Sequence, residues 1–168
     1  MDEPRSVRFL GLLRTLLRHG VVFCVVGGVA AQLEGAPVLT LDLDILYDRG
    51  ADNLGRLLAA LRELKAHYRD PAGRHIEPDM AKLETMRMHL LATDLGALDV
   101  MGAIGAGLTY QDLVVRTVTY HLAEARVLVL ELGAVIETKE YANREKDRAA
   151  LPVLRQTLAM KHRIPGEQ

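Results

Sequence analysis

Val21-Val22-Phe23-Cys24-Val25-Val26-Gly27-Gly28-Val29-Ala30-Ala31, followed by Leu39-Thr40-Leu41-Asp42-Leu43-Asp44-Ile45-Leu46-Tyr47, reads as strand, glycine turn, helix and second strand. Val21 to Val26 is a continuous apolar run rich in β-branched residues, as expected of a strand buried on both faces. Val29 to Glu34 predicts a short helix closed by Gly35 and Pro37. Leu39 to Tyr47 predicts the second strand, and its two carboxylates are the informative feature. On a strand, Asp42 and Asp44 share one face about 6.6 Å apart, while Leu41, Leu43 and Ile45 point the other way into the core. Neighbouring carboxylates among apolar residues repel each other unless a cation sits between them. Oxygen-only ligands favour Mg²⁺ or Mn²⁺ over zinc. Gly27 and Gly28 let the backbone approach a ligand closely, and a helix starting there aims free N–H groups at a phosphate.

Outward from this unit, Arg5 to Arg18 carries Val7, Leu10, Leu13, Leu16 and Leu17 at helical spacing, and Gly20 ends that helix. Asn53 to His67 predicts a second amphipathic helix, and residues 68–79, with Pro71, Gly73 and Pro78, a loop. Thr85 to Thr93 alternates Met86, Met88, Leu90 and Ala92 on one face of a third strand. Asp94-Leu95-Gly96 turns it into a fourth, Ala97 to Met101. The glycine cluster 102–107 reads as a flexible loop beside Asp99. Strand-like runs follow at 114–121 and 126–132, then a helical C-terminus in which Pro152 makes a kink or a new first turn. The expectation is an α/β domain with a mixed sheet flanked by helices. It is a single domain over 1–168, with its core at about 5–132 and a helical segment at 133–163.

Composition narrows the class. Of the 168 residues 49% are apolar and 26% charged, the balance of a globular protein large enough to need no staple. No apolar run approaches the roughly 20 residues of a membrane helix. The N-terminus, Met1-Asp2-Glu3-Pro4-Arg5, is acidic where a signal peptide is basic. Cys24 stands alone, which excludes an internal disulfide and a multi-cysteine zinc site. A cytoplasmic protein with no membrane partner is expected. A net charge of −1 argues against a grip on long nucleic acid, yet residues 139–163 carry seven Lys/Arg and three acids, a net of +4. That end is either a solvated basic helix or a surface facing an anion such as a phosphate. There is no Walker A motif, no GxGxxG order in the glycine cluster, no histidine pair at metal-ligand spacing and no glycine-flanked nucleophilic serine.

The combination Val26-Gly27-Gly28 and Asp42-Leu43-Asp44, with Asp99 in Gly96-Ala97-Leu98-Asp99-Val100-Met101 as a third acid, resembles the nucleotidyltransferase superfamily of DNA polymerase β type. More narrowly, it is similar to small bacterial nucleotidyltransferases related to the abortive-infection toxins of toxin–antitoxin pairs. The lincosamide and aminoglycoside nucleotidyltransferases are broader relatives. Phosphatases of the haloacid dehalogenase type and glycosyltransferases also carry Asp-x-Asp, but there the pair ends a strand, whereas Ile45-Leu46-Tyr47 continues it here. The segment Leu132 to Leu151, with Lys139, Arg144, Lys146 and Asp147, is similar to the group's C-terminal Lys…Arg-x-Lys-Asp motif. Val38-Leu39 stand before Thr40 where the group often has Arg or Ser.

The resemblance implies a minimal nucleotidyltransferase fold and transfer of a nucleoside monophosphate from a nucleoside triphosphate to an acceptor hydroxyl by two-metal catalysis. Asp42, Asp44 and Asp99 would hold Mg²⁺ or Mn²⁺, and Asp99 would take the acceptor's proton; Asp94 is the next candidate for that third place. Gly27, Gly28 and Thr40 would meet the nucleotide. Lys139 and Lys146, sharing a helix face with Asn143, would reach its phosphates. RNA such as tRNA, a protein or a small molecule could be the acceptor, and a cognate antitoxin a partner. The alternatives are a non-catalytic nucleotide- or partner-binding module on the same fold, or a phosphatase or nuclease using the same carboxylates.

Overall fold

A computed structural model of the chain describes residues 5–163, with side chains from Arg8 onward. Helix α1 (Arg5–Arg18) precedes β1 (Phe23–Val26), α2 (Gly27–Leu33), β2 (Leu43–Tyr47), α3 (Ala51–Glu63) and β3 (His67–Tyr68). Then come α4 (Met80–Thr85), β4 (Met88–Thr93), β5 (Gly96–Met101) and α5 (Tyr110–Leu113), which runs into a 3-10 turn at Val114–Arg116. Strands β6 (Thr117–Leu122) and β7 (Ala125–Leu130) and helices α6 (Leu132–Ala142) and α7 (Glu145–Arg163) complete the chain. The strands form one seven-stranded sheet in the order β3-β4-β5-β2-β1-β7-β6. Strand β2 runs antiparallel to β1 and parallel to β5, and β1 runs parallel to β7, so the sheet is mixed as expected.

The centre of the sheet is apolar because its strands are. Cys24, Val25, Leu43, Ile45, Leu46, Leu98 and Val100 are all fully buried. Asn53 is an exception that explains itself: its amide receives the Val22 N–H at 2.7 Å and donates to the carbonyls of Val22 and Asp48 at 2.9 and 2.7 Å. It therefore ties the start of β1 to α3 rather than opening that helix, which begins at Ala51. Glu34 does similar work at the end of α2. It accepts from Tyr120 Oη, from the Leu132 N–H at 3.1 Å and from Lys161 Nζ at 2.9 Å, joining α2 to β6, α6 and α7.

The structure corrects four expectations. Strand β2 starts at Leu43, so Asp42 lies just before it, and Leu41, expected in the core, is 61% exposed, while Leu39 is 82% exposed. Helix α2 begins at Gly27 itself. The helix expected to run to His67 ends at Glu63, and His67 and Tyr68 form β3 at the start of the expected loop, which α4 follows. On β4 it is His89 and Leu91 that are buried, while Met88 and Leu90 point to the open side. None of the described helices is long and apolar enough to cross a membrane.

Candidate active site

The parallel register of β2 and β5 sets Asp44 directly beside Asp99. Partners in such a ladder point to the same face, about 4.8 Å apart. The two carboxyls interact, and Asp42, at the mouth of β2, adds its charge. Burial pushes the Asp44 carboxyl up to about 7, and the charges of Asp99 and Asp42 push the same way, while Lys139 pulls against them. Burial also raises Asp99, against the opposing pull of Arg69. Asp44 Oδ1 is buried and has no hydrogen-bond partner. A buried oxygen left unpaired costs about 1–3 kcal/mol or more.

Gly27 makes room for this carboxyl. Its φ is +64°, and a Cβ there would fall inside the Asp44 carboxylate. Gly28 is equally constrained, since a Cβ would lie 2.8 Å from that of Thr40. Thr40 in turn donates from Oγ1 to the Asp42 carbonyl at 3.0 Å, closing the bend that brings Asp42 to the site. The Gly-Gly pair thus houses side chains of the acid cluster as well as starting α2, a helix of seven residues with no side-chain cap.

On the opposite wall, α6 ends at Asn143, whose φ of +51° breaks the helix before α7 begins. Asp147, completely buried, takes Arg144 Nε at 2.7 Å, Arg144 Nη2 at 3.2 Å and the Arg144 N–H at 3.1 Å. Lys139 Nζ lies 3.6 Å from the same carboxylate. Burial pushes Asp147 up, but the Arg144 bonds and the Lys139 charge outweigh it and hold the group below the ordinary aspartate value. Lys139 and Arg144 both feel the Asp44 charge, so the two cations face the acids. Lys146 is not on one helix with Lys139, as the sequence suggested: the break at Asn143 puts it on α7, exposed to solvent.

One residue was invisible in the sequence. Arg69, just past β3, donates from Nη2 to Asp99 Oδ1 at 2.8 Å and from Nη1 to the Leu91 carbonyl at 3.0 Å. Its segment reads as loop, and only the two-residue pairing of β3 with β4 brings it here. Asp94 instead sits 3.8 Å from Lys65, away from the other acids. Among the described residues, no three His, Cys, Asp or Glu side chains are gathered into a ligating group. Asp44 and Asp99 nonetheless fit a hard divalent cation: the donors are oxygens, and one of them is buried and unpartnered. A separate cavity of about 520 Å³, lined by Phe9, Leu13, Val29, Leu33, Leu39 and Thr40, is apolar and includes none of the acids.

With this geometry in view, the fold is that of the nucleotidyltransferases. The structure is similar to a candidate nucleotidyltransferase from Thermotoga maritima, at TM-score 0.54 and 20% identity over 95% of this chain and 96% of that one. It is similar to the antibiotic-resistance factor ANT(2'')-Ia, at TM-score 0.59 and 15% identity over 96% and 88% of the two chains. It is also similar to the lincosamide antibiotic adenylyltransferase LnuA, solved with lincomycin bound, at TM-score 0.61 and 12% identity over 89% and 96%. No family model matches the sequence, and no curated protein does.

Proposed function

We propose that the protein is a Mg²⁺-dependent nucleotidyltransferase that moves a nucleoside monophosphate from a nucleoside triphosphate to an acceptor hydroxyl. The observation that carries this reading is the Asp44 carboxyl, seated against Gly27 with one buried oxygen unpartnered, beside Asp99 and facing Lys139 and Arg144. A buried carboxylate so placed is costly when ionised unless a cation meets it there. A fold neighbour that is a lincosamide antibiotic adenylyltransferase, and another that is an antibiotic-resistance factor, support the same reaction and favour a small molecule as acceptor.

Asp42 and Asp44 would hold the divalent ion, with Asp99 completing its oxygen ligands. When bound, the ion supplies charge neutralisation for the triphosphate and lowers the pKa of the acceptor hydroxyl. Lys139 and Arg144, fixed by Asp147, draw the phosphates to the mouth of β2 and offset the charge on the departing pyrophosphate. The bare Gly27 and Gly28 let the Asp44 carboxylate and Thr40 pack against the start of α2, which keeps the acids at the mouth of β2 where the phosphate chain would meet them. Asp99 accepts the proton as the acceptor oxygen bonds to the α-phosphorus and the bond from that phosphorus to the β-phosphate oxygen breaks. The products are a nucleotidylated acceptor and pyrophosphate. The test is to incubate the protein with Mg²⁺, each nucleoside triphosphate labelled at the α-phosphate, and a cell extract. Transfer of label with pyrophosphate release, absent in Asp44→Asn, is expected. Release of free phosphate or nucleoside monophosphate alone would point to a hydrolase.

A further inference from the structure

Beside the acids, β4 leaves a row of large apolar side chains partly exposed on the face that carries Asp99. Leu90 is registered opposite Asp99, and Met88 opposite Met101. Leu90 is 41% exposed and Met88 54%, and Met86, just before the strand, is 42% exposed. The alternate residues His89 and Leu91 are fully buried on the other face. Three large apolar side chains in a row in water are unfavourable by roughly 25 cal/mol for each Å² left uncovered, and such a patch marks a binding surface. Its position identifies what it binds. Leu90 stands one strand spacing, about 5 Å, from the carboxyl that receives the acceptor's proton, and Met88 about 7 Å further along β4. An acceptor whose hydroxyl reaches Asp99 must rest its body there.

Arg69 sets the charge of this surface. Its backbone N–H donates to the Leu90 carbonyl at 3.0 Å, and its guanidinium spends two donors on Asp99 and on the Leu91 carbonyl. A guanidinium carries five N–H donors, so the rest of the fork is free for a planar oxyanion, and the side chain is 33% exposed. A cationic acceptor would meet Arg69 head-on.

Resting on the nucleotidyltransferase reading above, we propose that Met86, Met88, Leu90 and Arg69 form the acceptor subsite. It selects a hydroxyl compound with an apolar body and a carboxylate or phosphate group, and it rejects polycations. Arg69 is the specificity residue: it presents its free donors to the acceptor's anion while holding Asp99 toward the hydroxyl.

A matched set of probes tests the charge order: 3-(4-hydroxyphenyl)propionate, neutral 4-ethylphenol and cationic tyramine share one hydroxylated ring. Each is titrated into protein labelled with ¹³C-methyl methionine, in the presence of Mg²⁺ and a non-hydrolysable ATP analogue. Met86, Met88 and Met101 report on the shelf, whereas Met80 and Met160 lie elsewhere in the chain. The propionate is expected to shift the Met86 and Met88 methyls and to bind roughly threefold to tenfold more tightly than tyramine, the scale of one partly exposed ion pair gained against one repulsion. Arg69→Leu should erase or invert that order, and Arg69→Lys should keep it. Leu90→Glu should weaken all three probes without reversing them. Equal binding of the three, tighter binding of tyramine in the wild type, or shifts confined to Met80 and Met160 overturns the proposal while leaving nucleotide binding intact. Calorimetry with Mg²⁺ and ATP on the same samples separates the other failure: correct charge order without nucleotide binding removes the acceptor role together with the reaction.

Discussion

Gly27 meets two demands at one position, a left-handed backbone and space for the Asp44 carboxyl. Gly27→Ala adds a methyl group where the carboxylate lies and strains the backbone by about 1 kcal/mol. Such a protein should fold, but calorimetry should find its Mg²⁺-dependent nucleotide affinity at least ~10-fold lower, one decade for each ~1.4 kcal/mol of lost contact. An affinity equal to wild type in a folded variant would leave Gly27 with a backbone role alone. Asp44→Asn acts in the opposite sense on the empty protein. It removes a buried charge repelled by Asp99 and Asp42, so the metal-free Tm should rise by roughly 2–4 °C while metal-dependent nucleotide binding is lost. A lower Tm with binding retained would show that the carboxylate is not there for a cation. Asp99→Ala separates the two halves of the reaction. Nucleotide should still bind, and turnover should fall by at least ~10²-fold, the usual scale for a lost acid/base group. Normal transfer by that variant would move the proton acceptor elsewhere.

Between α6 and α7, the left-handed Asn143 decides which cations serve the site. It buries Asp147 against Lys139 and Arg144, whereas Lys146, beyond the break on α7, lies in solvent. Asp147→Ala removes the buried acceptor shared by Arg144 and Lys139 and should destabilise the fold by roughly 1–3 kcal/mol. Asp147→Asn keeps the volume and should mainly raise the Kd for nucleotide. Lys146→Ala should change stability by no more than about 0.5 kcal/mol and leave that Kd untouched; a large loss there would restore the single helix face that the sequence suggested. That suggestion failed because nothing in Tyr141-Ala142-Asn143-Arg144 forces a break, although asparagine tolerates the left-handed region better than most residues. Other elements show the same limit. The pairing of β1, α2 and β2 was legible because glycines and aspartates interrupt apolar runs. The start of β2 was not, because Leu39-Thr40-Leu41 alternates like a strand. It pairs with nothing there because β1 ends at Val26, opposite Asp44. On β4 the alternation was legible but its direction was not: periodicity shows that two faces differ, and only the tertiary fold buries His89, through Tyr68 Oη at 2.7 Å and the Met86 carbonyl at 3.1 Å. Arg69 had no local signal at all.

At the scale of the whole molecule, the acid site makes stability depend on pH and metal together. The unfolded chain releases the Asp44 proton near the ordinary value of 3.8, whereas the folded protein holds it to about 7. Between those values the folded state binds more protons, so this group favours the fold fully below the ordinary value and its contribution is lost as pH rises through about 7. Glu34 works the other way. Burial pushes it up, but Tyr120, Lys161 and the Leu132 N–H outweigh that and hold it below its ordinary 4.5. Its contribution is present above that range and fades as pH falls through its depressed value, loosening α2 from α6 and α7. Metal-free protein should therefore be most stable in mildly acidic buffer, with Tm declining as pH climbs toward about 8. Divalent ion reverses the upper slope, because it binds the deprotonated carboxyls and displaces the proton. Melting curves across this range in EDTA and in excess Mg²⁺ should diverge as pH increases, and Asp44→Asn should flatten the EDTA curve and abolish the divergence. Curves that run parallel with and without Mg²⁺, or an Asp44→Asn protein that keeps the wild-type slope, would mean that the buried carboxyl neither holds its proton nor exchanges it for a cation.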